Sequence, residues 1–255
     1  GNKILHDHLT VGNLALSAAR IVVDTNRFEV TGTLTGFDGT SYVVGRLLRS
    51  GSDSLVYPIG SDTEYTPVIL SQITGSTPVV GVELIPGNPL AISGNGLLAV
   101  SDQRHWQVSE ASGTFDGAIV NLPTIDETVV ASIADASIAY GPAVSGRFRG
   151  LGMSTNTGSM TSGSVTALEA GGAGLYAIGA YFNEVLREQD SLALISIYEA
   201  TTGNSWNGST GWQSDNLDNW LRVTLVDKRV TELNLSDNNL SGSFPLITSG
   251  LEELV

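Results

Sequence analysis

The chain has 255 residues, long enough for one large domain or two smaller ones. Its 26 Asp and Glu against 12 Lys and Arg give a net charge of −14, which repels phosphate backbones, so no nucleic acid partner is expected, and anionic lipid is disfavoured by the same sign. Cysteine is absent, which excludes disulfide frameworks, thiolate metal sites and cysteine nucleophiles together, and with 41% hydrophobic and 15% charged residues the chain is too apolar for a disordered acidic segment.

No run of 18 apolar residues occurs, so no membrane span is expected. Gly1 onward lacks the basic start and apolar stretch of a secretory signal, and the chain is read as a mature form or a fragment. From residue 1 to 183 the pattern is strand, turn, strand. Leu9 and Val11, Leu14 and Leu16, Ile21 and Val23, and Phe28 and Val30 form short alternating runs, the period of half-buried strands. Gly12-Asn13, Asp24-Thr25-Asn26 and Phe37-Asp38-Gly39 punctuate them as turn formers. Further runs follow at Tyr42–Leu48, Val79–Leu84, Leu97–Val100, His105–Val108, Ala118–Leu122 and Val129–Ile133. A last pair, Arg147–Met153 and Leu175–Tyr181, is joined by a Gly/Ser/Thr stretch. Many strands with turn signals between them predict a mainly β chain, with an antiparallel β-sandwich over 1–183 and a small solenoid as the alternative. The opening Thr, Val and Leu runs would stack as extra β-turns on either architecture.

Helical periodicity begins only after Phe182. Leu186, Leu192, Leu194, Ile195 and Tyr198 give an apolar face, Asp190 reads as an N-cap, and Gly203-Asn204 ends the helix. Residues 1–183 hold 15 acids and 8 bases, residues 184–255 hold 11 and 4, so each part carries −7. The shorter part is therefore the more acidic by length. It also holds three of the four tryptophans, Trp206, Trp212 and Trp220.

Val230, Leu233, Leu235, Asn238 and Leu240 fit the spacing L-x-x-L-x-L-x-x-N-x-L, and Leu251 and Leu254 open the next copy 21 residues on. The leucines are expected to point inward, and Asn238 to bond neighbouring backbone in a ladder between repeats. The run from Asn234 to Pro245 resembles the plant-type leucine-rich repeat. The preceding segment, Asp190-Ser191-Leu192-Ala193-Leu194 through Trp206, Trp212 and Trp220 to Val223-Thr224, resembles the N-terminal cap of the same family. It lacks the paired cap cysteines and has Leu221-Arg222 where the plant cap has a Gly, and this form resembles bacterial surface proteins. The resemblance implies a helical cap over 184–229, then over 230–255 the first repeat and the start of a second in an α/β leucine-rich repeat solenoid. It gives Leu192, Leu194, Ile195, Tyr198, Trp206, Trp212 and Trp220 to the cap core. Repeats expose a hydrophobic edge, so further repeats or a partner chain are expected to cover it. In the first part, Tyr42–Leu47, Val56–Gly60, Glu64–Val68, Arg104–Val108 and Gly174–Gly179 resemble β-sandwich modules of proteins that gliding bacteria export by type IX secretion.

Little catalytic chemistry is found. His6-Asp7-His8 would put His6 and His8 on one strand face, but a solvated terminus is preferred to a metal site. His105 has no G-x-S-x-G elbow to serve and is read as surface or satisfied core. Asp62 with Glu64, and Asp126 with Glu127, are read as solvated turn charges rather than a glycosidase pair. Asp215, Asp218 and Asp227 lack EF-hand spacing, so no cofactor is expected and calcium is only a minor alternative. The expectation is a non-enzymatic adhesion or recognition protein, extracellular or on the outer cell surface, that binds a protein or glycan. Thr231, Glu232, Asn234 and Ser236 on the repeat strand face are the expected ligand contacts. The alternatives are a non-catalytic part of a larger secreted hydrolase and a structural subunit of a surface filament.

Overall fold

The short alternating runs at the start of the chain form strands, but they pair in parallel. The computed structural model describes residues 2–94, 97–142, 146–181, 184–214, 216–226, 229–247, 249–252 and 254. The chain divides into two units, Gly1–Tyr181 and Phe182–Val255.

The first unit opens with β1 (Lys3–Ile4), β2 (Leu9–Val11), β3 (Leu14–Ala15), β4 (Ile21–Val22), β5 (Phe28–Val30), β6 (Leu34–Thr35), β7 (Val43–Val44), β8 (Leu47–Ser50), β9 (Leu55–Tyr57) and β10 (Ile59–Gly60). Three parallel ladders run through them: β1-β4-β7-β10, β2-β5-β8 and β3-β6. Lys3 lies over Ile21, Ile21 over Val43 and Val43 over Ile59, so each coil of 16–22 residues is one rung of a β-solenoid-like stack. Phe28, Val30, Val43, Leu47 and Ile59 are fully buried between the ladders. Two corners need glycine. Gly36 and Gly45 sit at φ +71° and +104°, and a Cβ on either would run into the carbonyl of Leu16 or Val23 in the rung before.

From residue 68 the pairing turns antiparallel. The strands are β11 (Val68–Thr74), β12 (Val79–Pro86), β13 (Ile92–Ser93), β14 (Leu97–Val100), β15 (Arg104–Ser112), β16 (Gly117–Thr124), β17 (Ala136–Gly141), β18 (Arg147–Gly150), β19 (Thr155–Gly158), β20 (Gly163–Thr166) and β21 (Gly174–Tyr181). One ten-stranded sheet runs β13-β18-β17-β21-β15-β12-β8-β5-β2, with β14 also on β21, so the second solenoid ladder continues directly into it. A five-stranded sheet runs β19-β20-β16-β11-β9. Leu70, Val120, Leu122 and Val165 of the smaller sheet share one core with Val82, Trp106, Ile138 and Ile178 of the larger. Two expectations fail here. Residues 129–132 form no strand and lead into a 3-10 turn, Ile133–Asp135, capped by the Ser132 hydroxyl. The Gly/Ser/Thr stretch expected as a mere connection is the β19–β20 hairpin, anchored by buried Val165.

The second unit has the one α-helix among the described residues, α1 (Glu184–Ala200), and a hairpin of β22 (Val223–Val226) and β23 (Arg229–Leu233). Asp190, Leu194, Ile197 and Thr201 are buried, a spacing that puts them on one stripe of the helix. Leu192 is two residues, about 200°, away from Asp190 and is 55% exposed, so its expected place in the core is corrected. Asp190 is likewise no N-cap, since the helix begins six residues earlier. The side chain of Leu186 lies outside the described residues. Leu194, Tyr198, Trp206, Trp212, Trp220 and Val230 form the core, with Ile195 half-buried against it. The rings of Tyr198, Trp206, Trp212 and Trp220 follow one another at 4.8–5.6 Å. Every indole N–H of the three tryptophans donates to a carbonyl, those of Thr201, Leu221 and Ser214 in turn.

Candidate functional site

Two places gather polar side chains: the strand face of the second unit and a cleft in the first. At the end of β23 and in the segment that follows it, Glu232, Asn234 and Ser236 are exposed and alternate with half-buried Leu233 and Leu235, which pack on the core. Thr231 has the parity of the leucines. It is half-buried and donates its hydroxyl to the Thr224 carbonyl at 3.4 Å. The Glu232 carboxylate accepts from the Thr224 hydroxyl at 3.3 Å, and the Asn234 side chain accepts from the N–H and hydroxyl of Ser236. Arg222 supports this face. Its guanidinium donates to the carbonyls of Ser236 at 2.8 Å and Asn234 at 3.4 Å. Its own backbone sits at φ +73°, a conformation that favours glycine.

The positions matching the repeat spacing behave unevenly. Val230 is fully buried, and Leu251 is half-buried against the core. Leu240 and Leu254 are 38% and 40% exposed, so neither fills an interior here. Asn238 is buried, but its side-chain oxygen accepts from the Gly208 N–H at 2.7 Å, looking back toward the tryptophan segment. Asn207 donates to the carbonyls of both Asp237 and Asn238 in the same seam.

Asp190 ties this unit together. Its carboxylate accepts from Arg229 Nε at 2.9 Å and Nη2 at 3.1 Å, from the Val230 N–H at 3.0 Å and from the Leu251 N–H at 2.7 Å. Burial by itself raises its pKa, but these hydrogen bonds outweigh that and hold the carboxyl below its usual range. Arg229 also reaches Glu252 at 2.8 Å. No spacing signal links residues 190, 229 and 251, so this clip was not legible beforehand.

In the first unit a cleft of about 300 Å³ is lined by Ser61, Asp62, Thr63 and Glu64 of one turn, Leu84 and Pro86 of β12, and Gln103 and Arg104 at the start of β15. Arg104 lies at its floor between two carboxylates, Glu127 at 2.7 Å and Glu64 at 3.2 Å. Glu127 is buried, with its second oxygen taken by the Ser101 hydroxyl at 2.7 Å. Its reading as a solvated turn charge is therefore corrected. Burial holds the Glu127 carboxyl above its usual range, against the lowering pull of Ser101 and Arg104. Neither Glu127 oxygen is free for a ligand, so the trio braces the 61–64 turn against β15 and the 125–127 loop rather than forming a reacting pair. His105 is buried, with Nδ1 3.0 Å from the Gly87 carbonyl, and His8 accepts the Arg27 N–H on Nδ1 at 2.6 Å. Among the described residues no three His, Asp or Glu side chains converge as metal ligands, and no helix is long and apolar enough to cross a membrane. Asp215 and Asp227 lie outside the described residues. No protein-family model, curated protein or solved structure matches this chain.

Proposed function

We propose that the chain is a non-enzymatic adhesion or recognition protein of the bacterial cell exterior, taking a protein or glycan partner on the strand face of its second unit. In this reading the first unit is a β-sandwich extended by its solenoid rungs, and the second is the cap and first repeat of a leucine-rich repeat solenoid. The observation that carries the reading is the alternation of exposed Glu232, Asn234 and Ser236 with inward Leu233 and Leu235. Such a face offers an acid, an amide and a hydroxyl on a backbone fixed by the core, and rigid presentation lowers the ordering cost of binding. The test is binding of the 255-residue chain to arrayed cell-surface glycans and extracellular proteins, compared with the triple variant Glu232→Lys, Asn234→Ala, Ser236→Ala. A ligand held by the parent chain and lost at least tenfold by the folded variant supports the reading. Binding that ignores the three substitutions removes the strand face from it.

A further inference from the structure

Where β17 meets β18, a cavity of about 350 Å³ is lined by Tyr140, Pro142, Arg147, Phe148 and Arg149. Alternation along β18 builds it. Phe148 turns to one side, fully buried with Leu97, Ala139 and Leu175, and Arg147 and Arg149 turn together to the other. Tyr140 stands directly across from Arg149 in the antiparallel pair, so ring and guanidinium meet. The Arg149 guanidinium lies 5.6 Å from the centre of the Tyr140 ring and bonds Glu169 at 2.7 Å. Tyr140 is itself fixed: its hydroxyl donates to the Ala173 carbonyl at 3.0 Å, and its ring lies 5.0 Å from that of buried Tyr176. Arg149 is thus held from two sides, and its charge is balanced.

Arg147 is not balanced. It is exposed, and among the described residues its side chain has no hydrogen-bond or ion-pair partner, in a chain where 26 acids face 12 bases. Exposed Arg27 in the same unit, by contrast, bonds Glu29 at 2.7 Å. The stem of Arg147 is nevertheless placed. It lies so close on Gly94 that a Cβ there would come within 2.9 Å of Arg147 Cγ. Arg147 and Arg149 against Glu169 leave one positive charge at the cavity. The geometry points to this cavity as a binding site for a single carboxylate carried on an apolar body, with the carboxylate on Arg147 and the body against Tyr140 and Pro142. A guanidinium fork matches the two oxygens of a carboxylate. The cavity has the size of a small-molecule site, and its walls mix rings with few polar groups. One surplus positive charge suits a monoanion, while the net −14 of the chain repels a polyanion more strongly. Two sources carry this chemistry: a free organic acid, and the terminal carboxylate of a peptide whose last residue is apolar. The site lies in the first unit and is independent of the strand face of the second.

Titration of the 255-residue chain, read by saturation-transfer NMR, tests it with phenylacetate as the probe. Phenylacetate is expected to bind saturably, and phenylacetamide and inorganic phosphate more weakly by about tenfold or more. Arg147→Gln is expected to lose about tenfold in phenylacetate affinity with an unchanged melting midpoint. Lys3→Gln, which removes an exposed cation elsewhere in the same unit, is expected to keep it. A short glycine peptide ending in phenylalanine separates the two sources. Binding of its free acid but not of its terminal amide assigns the site to peptide ends, and binding of phenylacetate alone assigns it to free organic acids. No phenylacetate binding at about 10 mM overturns the site. So does binding of phenylacetamide or phosphate equal to that of phenylacetate, or an Arg147→Gln variant that binds as the parent does.

Discussion

The two units each bury a carboxylate on an arginine, and the two carboxyls shift in opposite directions. Asp190 in the second unit is held below its usual pKa, and Glu127 in the first is held above it. Both are desolvated, so burial does not distinguish them. The difference is the donors. Asp190 takes a bidentate arginine and two main-chain N–H groups, four hydrogen bonds on two oxygens. Glu127 takes one arginine nitrogen and one hydroxyl, and that arginine is shared with Glu64. A buried carboxylate becomes a fastener when backbone donors converge on it, and an electrostatic cost when they do not.

The largest expected effect comes from removing the better-paired acid. Asp190→Ala leaves Arg229 half-buried without its main partner and the N–H groups of Val230 and Leu251 unbonded, a cost of about 3–5 kcal/mol. Urea unfolding followed by tryptophan emission, dominated by the three tryptophans of the second unit, should show that unit melting first. An equally stable variant would mean that the clip is not what fastens helix to hairpin.

Next in size is the solenoid. Gly45→Ala places a Cβ against the Val23 carbonyl in a left-handed backbone, with an expected loss of about 2–3 kcal/mol. Hydrogen exchange should then rise in residues 21–50 and stay unchanged in the second unit. Protection of residues 21–50 unchanged from the parent would count against the stacked-rung geometry.

Acid offers a sharper contrast, because the signs differ. Asp190, with a depressed folded pKa, contributes stability that is complete above its unfolded value near pH 4 and is lost as pH falls through the folded value. Glu127, with a raised folded pKa, binds its proton more tightly when folded. Its unit gains stability as pH falls through that raised value toward the ordinary glutamate range near 4.3. Exchange protection measured for each unit from neutral pH downward should rise slightly in the first unit while the second stays level until about pH 4. Glu127→Gln should abolish the rise, and parallel profiles in both units would contradict the contrast.

The smallest effect isolates the strain at Arg222. Arg222→Ala keeps the left-handed backbone and loses the bonds to Ser236 and Asn234, whereas Arg222→Gly loses the bonds and relieves the backbone. The glycine variant is expected to be the more stable of the two by about 1 kcal/mol. Equal melting midpoints would show that φ +73° costs nothing there.

Much of this architecture was readable from local pattern. The period changes from two to helical after Phe182, and the units divide at that point. Alternation also separates exposed Glu232, Asn234 and Ser236 from half-buried Leu233 and Leu235, and it continues past the strand end at Leu233. Simple parity breaks at Thr231, where the hairpin register shifts and Val230, two residues before exposed Glu232, is fully buried. Leu192 is apolar, but its angle around the helix puts it opposite buried Asp190, so it is exposed.

Local pattern is enough to specify a mainly β chain with a helix after Phe182, and which residues of a strand share a face. Only the tertiary structure decided the rest. Alternation says which side of a strand is buried but carries nothing about the direction of its neighbour, so Ile21 under Val43 in parallel and Val82 beside Val108 in antiparallel look alike in one dimension. Whether a charge is solvated or sealed depends on donors far away in the chain, as when the Leu251 N–H meets Asp190 across 61 residues. Those partners arrive through folding, and they alone separate the fastening acid from the strained one.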